Sequence, residues 1–259
     1  MAVAAWRVAS FLVAVATVSA CATAPRIPSE SPTMALPTEG TPHGWSRLGF
    51  SVEGRPLYVA QSGTGPVRVY VIGGVHGDET EGRSAIDLLA RTPSPGATLR
   101  ILRDLNPDGT AARRRVNARG LDLNRNWPAS NFDSAASGGA QPLSEPETRL
   151  LAADLRAFRP DVVVVLHSAT NGPFVNYDGP AAALAASFAN AAGSQWPGWY
   201  VRPDMGYATN GSLGSYVGVD QGIPILTIEF QLGQDETAAG SALESGLSAV
   251  IQSTRVEGR

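Results

Sequence analysis

Hydrophobic positions fall along this chain in three regimes. Val8–Ala20 (VASFLVAVATVSA) is a continuous run of apolar and small residues behind a single positive charge at Arg7. It is too short for the ~20 residues that a membrane-spanning helix needs, and it has the layout of a secretory signal, which assigns residues 1–20 to a signal peptide. Residues 22–44 (ATAPRIPSESPTMALPTEGTPHG) show no apolar period and are rich in Pro, Ser and Thr, as expected of an extended linker. From there on, apolar runs and amphipathic stretches alternate. Val67–Ile72 (VRVYVI) predicts a strand ending at Gly73-Gly74, followed by a helix over Gly82–Arg91. Leu99–Leu105 predicts another strand, closed by a turn at Asn106-Pro107-Asp108-Gly109. Ser144 as N-cap, with Glu147 completing a capping box, opens a helix through Phe158 whose Leu150, Leu151, Leu155 and Phe158 recur at helical spacing. Val162–Leu166 and Ile223–Phe230 read as strands buried on both faces, and Thr237–Ser253 as a closing helix. Strands alternating with helices, with no internal repeat and no second linker, predict one α/β domain over residues 45–259. Its sheet should be mixed, mostly parallel and twisted, with helices on both faces.

Composition narrows the chemistry. The 259 residues are 43% hydrophobic and 17% charged, ordinary for a globular chain, and all twenty positive side chains are arginine. A net charge of -3 leaves no basic face for nucleic acid. The single cysteine, Cys21, excludes a disulfide framework and any cysteine-rich zinc module. It follows Val18-Ser19-Ala20, and this run resembles the bacterial lipobox, in which the chain is cut before the cysteine and the thiol is acylated. Cys21 is therefore the expected lipidation site, holding the protein to a membrane at the cell envelope, facing the periplasm. Ala22 in place of an aspartate leans toward the outer membrane. Only three histidines exist, His43, His76 and His167. His43 falls in the linker and reads as a solvated residue, which leaves two for chemistry.

Those two lie where ligands collect in α/β sheets, beyond the carboxyl ends of strands. His76 and Glu79 share the turn Gly73–Glu79 (GGVHGDE) after the first strand, three residues apart, so both can face one point. His167 follows Val162–Leu166. Together they make a His₂Glu set, a common zinc shell with one position left open. Glu229 is an acid inside the otherwise apolar run ILTIEF, and a buried carboxylate needs a partner or a task.

Asn117–Pro128 (NARGLDLNRNWP), preceded by Arg113-Arg114-Arg115, resembles the substrate-binding motif of the zinc metallocarboxypeptidase family. HGDE, NPDG, SEPET and VVVVLHS occur in the family's order, Glu229 follows at about the expected distance, and the likeness spans Val67–Phe230. The resemblance implies one zinc ion per chain held by His76, Glu79 and His167. It makes Glu229 the general base and Arg115 the oxyanion-stabilising arginine, with Arg114 the alternative register. Asn124 and Arg125 would clamp the terminal carboxylate of a peptide and Tyr207 would cover it, with Asp122 and Asn126 as braces. Gly211–Tyr216 (GSLGSY) would line the specificity pocket. Within the family the short chain is most similar to the murein peptide amidases, which cut the γ-D-glutamyl–diaminopimelate bond of cell-wall peptides. That implies a monomer acting on murein stem peptides, with Arg202, Asp204 and Asp220 available for the distal charges of diaminopimelate. Two other readings stay open: an N-acyl amino acid deacylase of the succinylglutamate desuccinylase or aspartoacylase type, and a non-catalytic murein-binding lipoprotein.

Overall fold

The computed structural model of the protein describes residues 44–257. The signal segment, Cys21 and His43 lie outside the described residues. In chain order the elements are β1 (Ser46–Phe50), β2 (Pro56–Ser62), β3 (Val67–Ile72), α1 (Arg83–Arg91), β4 (Ala97–Leu102), α2 (Pro107–Ala112), α3 (Pro146–Phe158), β5 (Val162–Ala169), β6 (Phe174–Asp178), α4 (Ala182–Gln195), β7 (Tyr200–Val201), β8 (Ile225–Gln231) and α5 (Glu236–Glu257). A 3₁₀ turn at Leu123–Arg125 and a π-helix at Ser215–Asp220 complete them.

The strands form one eight-stranded sheet in the order β1-β2-β4-β3-β5-β8-β6-β7. Its middle, β4-β3-β5-β8, is parallel, while β2 and β6 join it antiparallel. The expected mixed sheet with helices on both faces is thus present. Strand alternation sends Val69, Val71, Val164, Leu166, Ile228 and Phe230 to the face covered by α1, α4 and α5. The intervening Tyr70, Ile72, Val163, Val165 and Ile225 face α3 and the long loops. Arg100 of β4 is buried on that second face, where Asp154 of α3 takes two hydrogen bonds from it at 2.8 and 2.9 Å and a third from Tyr70 at 2.5 Å. The trio ties α3 to the sheet with its charges mutually satisfied.

Asn106–Gly109 is not a free turn but the start of α2: Pro107 takes the first helical position and Asn106 caps it, accepting from the Gly109 amide at 2.9 Å. Ser144 does not cap α3. Pro146 fixes the start and holds Glu145 extended, and Glu147 turns inward to accept from the Val52 amide at 3.0 Å. His167 lies inside β5 and not after it, because pairing with β8 continues to Ala169–Gln231. α4 left no periodic signal, since its Ala-rich sequence has no contrasting polar face.

Candidate metal centre and substrate cavity

Alternation along β5 and β8 places the two strand-borne residues of the site. His167 continues the row Val163, Val165, Glu229 continues Ile225, Thr227, and the two are register partners on adjacent strands. His76 leaves β3 on a turn that packs directly on α2. A Cβ at Gly77 would lie 2.0 Å from the Gly109 carbonyl carbon, so only glycine permits this approach.

Three donors converge there. His76 Nδ1 lies 2.7 Å from Glu79 Oε1, His167 Nδ1 lies 2.8 Å from Glu79 Oε2, and the two Nδ1 atoms are 3.1 Å apart. One atom from each side chain falls within 4.8 Å of the others, the spacing of a metal shell. Two imidazole lone pairs directed at one point repel unless a proton or cation lies between them, so the set fits a divalent ion such as zinc. Around it, His76 Nε2 is 3.2 Å from Asp122 Oδ1, fixing the ring, and the Ser168 amide donates to Glu79 Oε2 at 3.1 Å. Burial works against ionisation of Glu79 and Asp122, but the imidazoles outweigh it, joined by Arg115 and Arg125 at Asp122, and both carboxyls lie well below the usual range. Glu229 goes the other way: burial pushes it up, only partly opposed by His167.

Of the three consecutive arginines, Arg115 is the one that faces the cluster. Its Nε donates to Asp122 Oδ2 at 3.1 Å and its Nη1 to Glu79 Oε1 at 3.2 Å, and it lines the cavity in front of the cluster. Arg113 terminates α2 in the left-handed conformation, and Arg113 and Arg114 point to solvent. Asn124 and Arg125 line the same cavity. The Asn124 side-chain carbonyl accepts from the Leu213 amide at 3.0 Å, joining the 3₁₀ turn to the segment opposite. Tyr207 stands at the rim, 57% exposed. Asp122 and Asn126 are braces, as expected: Asn126 is fully buried and bonds Gly138, Gln141, Ser144 and Thr148.

The cavity has a volume of about 360 Å³ and extends away from the cluster along β6 and β8. Ser212, Leu213 and Gly214 line it, whereas Ser215 and Tyr216 turn away, Tyr216 to stack on Trp127. Arg202 lines it too, over the Phe174 ring at 5.2 Å. Asp204 and Asp220 do not: Asp204 caps its own loop and Asp220 binds Ser130. The acid in the part of the cavity away from the cluster is Asp178, which sequence reasoning missed. Its carboxylate lies flush against Gly214, where a Cβ would come within 2.1 Å of Oδ2, and burial alone pushes its pKa up. The Asn176-Tyr177-Asp178-Gly179 run looks like a turn, and only pairing of β6 with β8 reveals that its even positions face the site.

Residues 66–230 match the family described as succinylglutamate desuccinylase/aspartoacylase catalytic domain. Murein peptide amidase A of Escherichia coli strain K12 is 30% identical over 218 residues, 77% of this chain and 85% of that protein. Among solved structures, the murein-tripeptide amidase of Escherichia coli O157 superposes with a TM-score of 0.64 at 28% identity, covering 84% of this chain and 94% of the other. Carboxypeptidase A of Helicoverpa armigera, 18% identical, shares the fold with a TM-score of 0.66 over 82% of this chain and 69% of its own.

Proposed function

We propose, on the premise that this chain belongs to the succinylglutamate desuccinylase/aspartoacylase catalytic-domain family and is a metal-dependent peptide hydrolase of the carboxypeptidase fold, that it cleaves the γ-D-glutamyl–diaminopimelate amide of murein peptides. The observation that carries the substrate is the pairing of Asp178 and Arg202 in one cavity. Asp178 pairs with Ile225, four positions down β8 from Glu229, or roughly 13 Å at ~3.3 Å per residue. A substrate whose far end bears both an ammonium and a carboxylate meets one partner for each. A succinylated acidic amino acid would instead meet the Asp178 carboxylate with like charge, which disfavours the deacylase reading.

Zinc held by His76, Glu79 and His167 would supply Lewis acidity, lowering the pKa of water and polarising the scissile carbonyl. Glu229 takes the proton of the attacking water and delivers it to the leaving amine. Burial raises its pKa, which makes the carboxylate a stronger base and lets it keep the abstracted proton until the more basic leaving amine takes it. Arg115, held by Asp122 and Glu79, presents a fixed cation to the oxyanion. Asn124 and Arg125 hold the terminal carboxylate, Arg125 through its planar fork. Tyr207 closes over the bound peptide from the rim.

The Val8–Cys21 pattern supports delivery of this activity to the envelope by an acyl anchor on Cys21. Cys21→Ala should then move the protein from the membrane to the soluble fraction, and a wild type already soluble would rule the anchor out. For the substrate, full-length protein with zinc should release diaminopimelate from L-Ala-γ-D-Glu-diaminopimelate, and a chelator should stop it until zinc is returned. Turnover of ordinary C-terminal residues with none of the tripeptide would remove the murein assignment.

A further inference from the structure

A second cavity, of about 380 Å³, opens between α3 and the π-helix, on the side of that π-helix away from Asp178. Its apolar lining includes Leu155, Val217, Ile223 and Tyr216, and Arg156 and Arg159 stand at its edge. The volume is in the range of small-molecule sites, ~300–1,000 Å³. Both arginines are exposed, and neither forms an ion pair among the described residues. Nor is either needed to satisfy the carboxyl end of α3: Arg68 does that, donating from Nε to the Phe158 carbonyl at 2.8 Å while stacking on the Phe158 ring. An apolar hollow edged by two free guanidiniums is complementary to an apolar chain carrying one anionic group.

The wall between this cavity and the substrate cavity is a π-helix, a form concentrated at functional sites. Gly214 and Gly218 press on Asp178 from one side of it. On the other, Tyr216 lines the second cavity and stacks on Trp127, with ring centroids 5.8 Å apart. Trp127 is fully buried and belongs to the same segment as Asn124 and Arg125, and Asn124 is bonded to Leu213 just ahead of the π-helix.

We propose that this cavity is a binding site for an amphiphilic anion, an aliphatic chain ending in a carboxylate or phosphate, and that its occupancy is felt at the Tyr216–Trp127 stack behind the substrate clamp. The site is separate from the metal centre, and its test needs no substrate. Calorimetry on the full-length protein with dodecanoate and dodecyl phosphate, below their micelle concentrations, should show saturable binding of one molecule per chain. Dodecanol and dodecyltrimethylammonium should bind at least about tenfold more weakly, as should dodecanoate to Arg156→Glu/Arg159→Glu, whose exposed positions leave folding intact. Ala152→Trp, which fills the cavity, should abolish binding while the thermal midpoint stays near wild type. Dodecanoate should also change tryptophan emission in the wild type and not in Trp127→Phe. Equal binding of dodecanol, or dodecanoate binding unchanged in the double-arginine or Ala152→Trp variants, would overturn the site. An emission change that survives Trp127→Phe would overturn the link to the clamp.

Discussion

Around His76, the side chains of the cavity hold one another. Asp122 alone bonds His76, Arg115 and the amide of Asn124, and Glu79 bonds both imidazoles, Arg115 and the Ser168 amide. At the far end of the same cavity Asp178 is half-buried against a glycine, with burial as the only influence on its charge. Arg202 nearby spends two of its nitrogens on the carbonyls of its own loop, Asp204 and Met205. One end is preorganised by its own network, as a centre that must hold reacting atoms fixed requires. The other leaves a charge short of partners, as a site does when the ligand is to supply them. Under the proposed function, the difference separates chemistry from selection. Substitutions near His76 should lower turnover for every peptide, while those near Asp178 should alter which peptide is chosen.

The strongest test of that division is Glu229→Gln. It keeps shape and removes the base, so kcat should fall by ~10²–10⁴ with KM and the thermal midpoint nearly unchanged. A variant retaining more than a tenth of wild-type turnover would take the base role from Glu229. Arg115→Ala comes next, with an expected loss of ~10²–10³ in kcat from the missing oxyanion partner. Its losses should be equal for charged and uncharged C-terminal residues. Arg114→Ala, one position away and turned to solvent, is the matched control and should cost little. Asp178→Asn should behave in the opposite way. Against a substrate with a distal ammonium kcat/KM should drop roughly ten- to a hundredfold, the worth of one charged hydrogen bond. Against a peptide ending in an uncharged residue it should change little. Equal losses on both substrates would erase the distinction between the two ends.

The same division runs through what the sequence disclosed. His76, Glu79, His167 and Glu229 were legible because strong apolar periods end beside them, and Asn117–Pro128 is a long motif. Arg115 could not be told from Arg114 by residue type. The choice is made by backbone geometry, where α2 ends in a left-handed Arg113 and sets the following residues. Asp178 was illegible for a deeper reason. β6 is only five residues long, its cavity-facing Asn176 and Asp178 are turn formers, and it pairs with a strand some fifty residues later, so its inward positions exist only once the sheet is assembled. Arg202, Asp204 and Asp220 are equal candidates by residue type, and nothing in their spacing separates the one that enters the cavity from the two that brace loops. The residues proposed for the metal and the base sit on elements that periodicity reveals, and those proposed for selection sit on a short strand and a loop that it does not.

The smallest effect is also the most diagnostic. Burial raises the Asp178 pKa above the ordinary aspartate value, so the folded chain binds a proton there more tightly than the unfolded one. Stability contributed by that proton is fully present below the ordinary value and is lost as pH rises through the raised one, leaving an uncompensated carboxylate at neutral pH. Asn at this position cannot ionise. Asp178→Asn should therefore melt slightly higher than wild type near pH 7, with the gap closing as pH falls to about 3. Diaminopimelate should raise the wild-type midpoint at pH 7 and leave the variant's nearly unmoved, since a ligand that binds only the folded state stabilises it in proportion to occupancy. Midpoints that run parallel across this range would mean that Asp178 already has a partner within the protein. The far end of the cavity would then be as self-satisfied as the metal end, and selection of the substrate would have to be sought in Arg202 and Tyr207 instead.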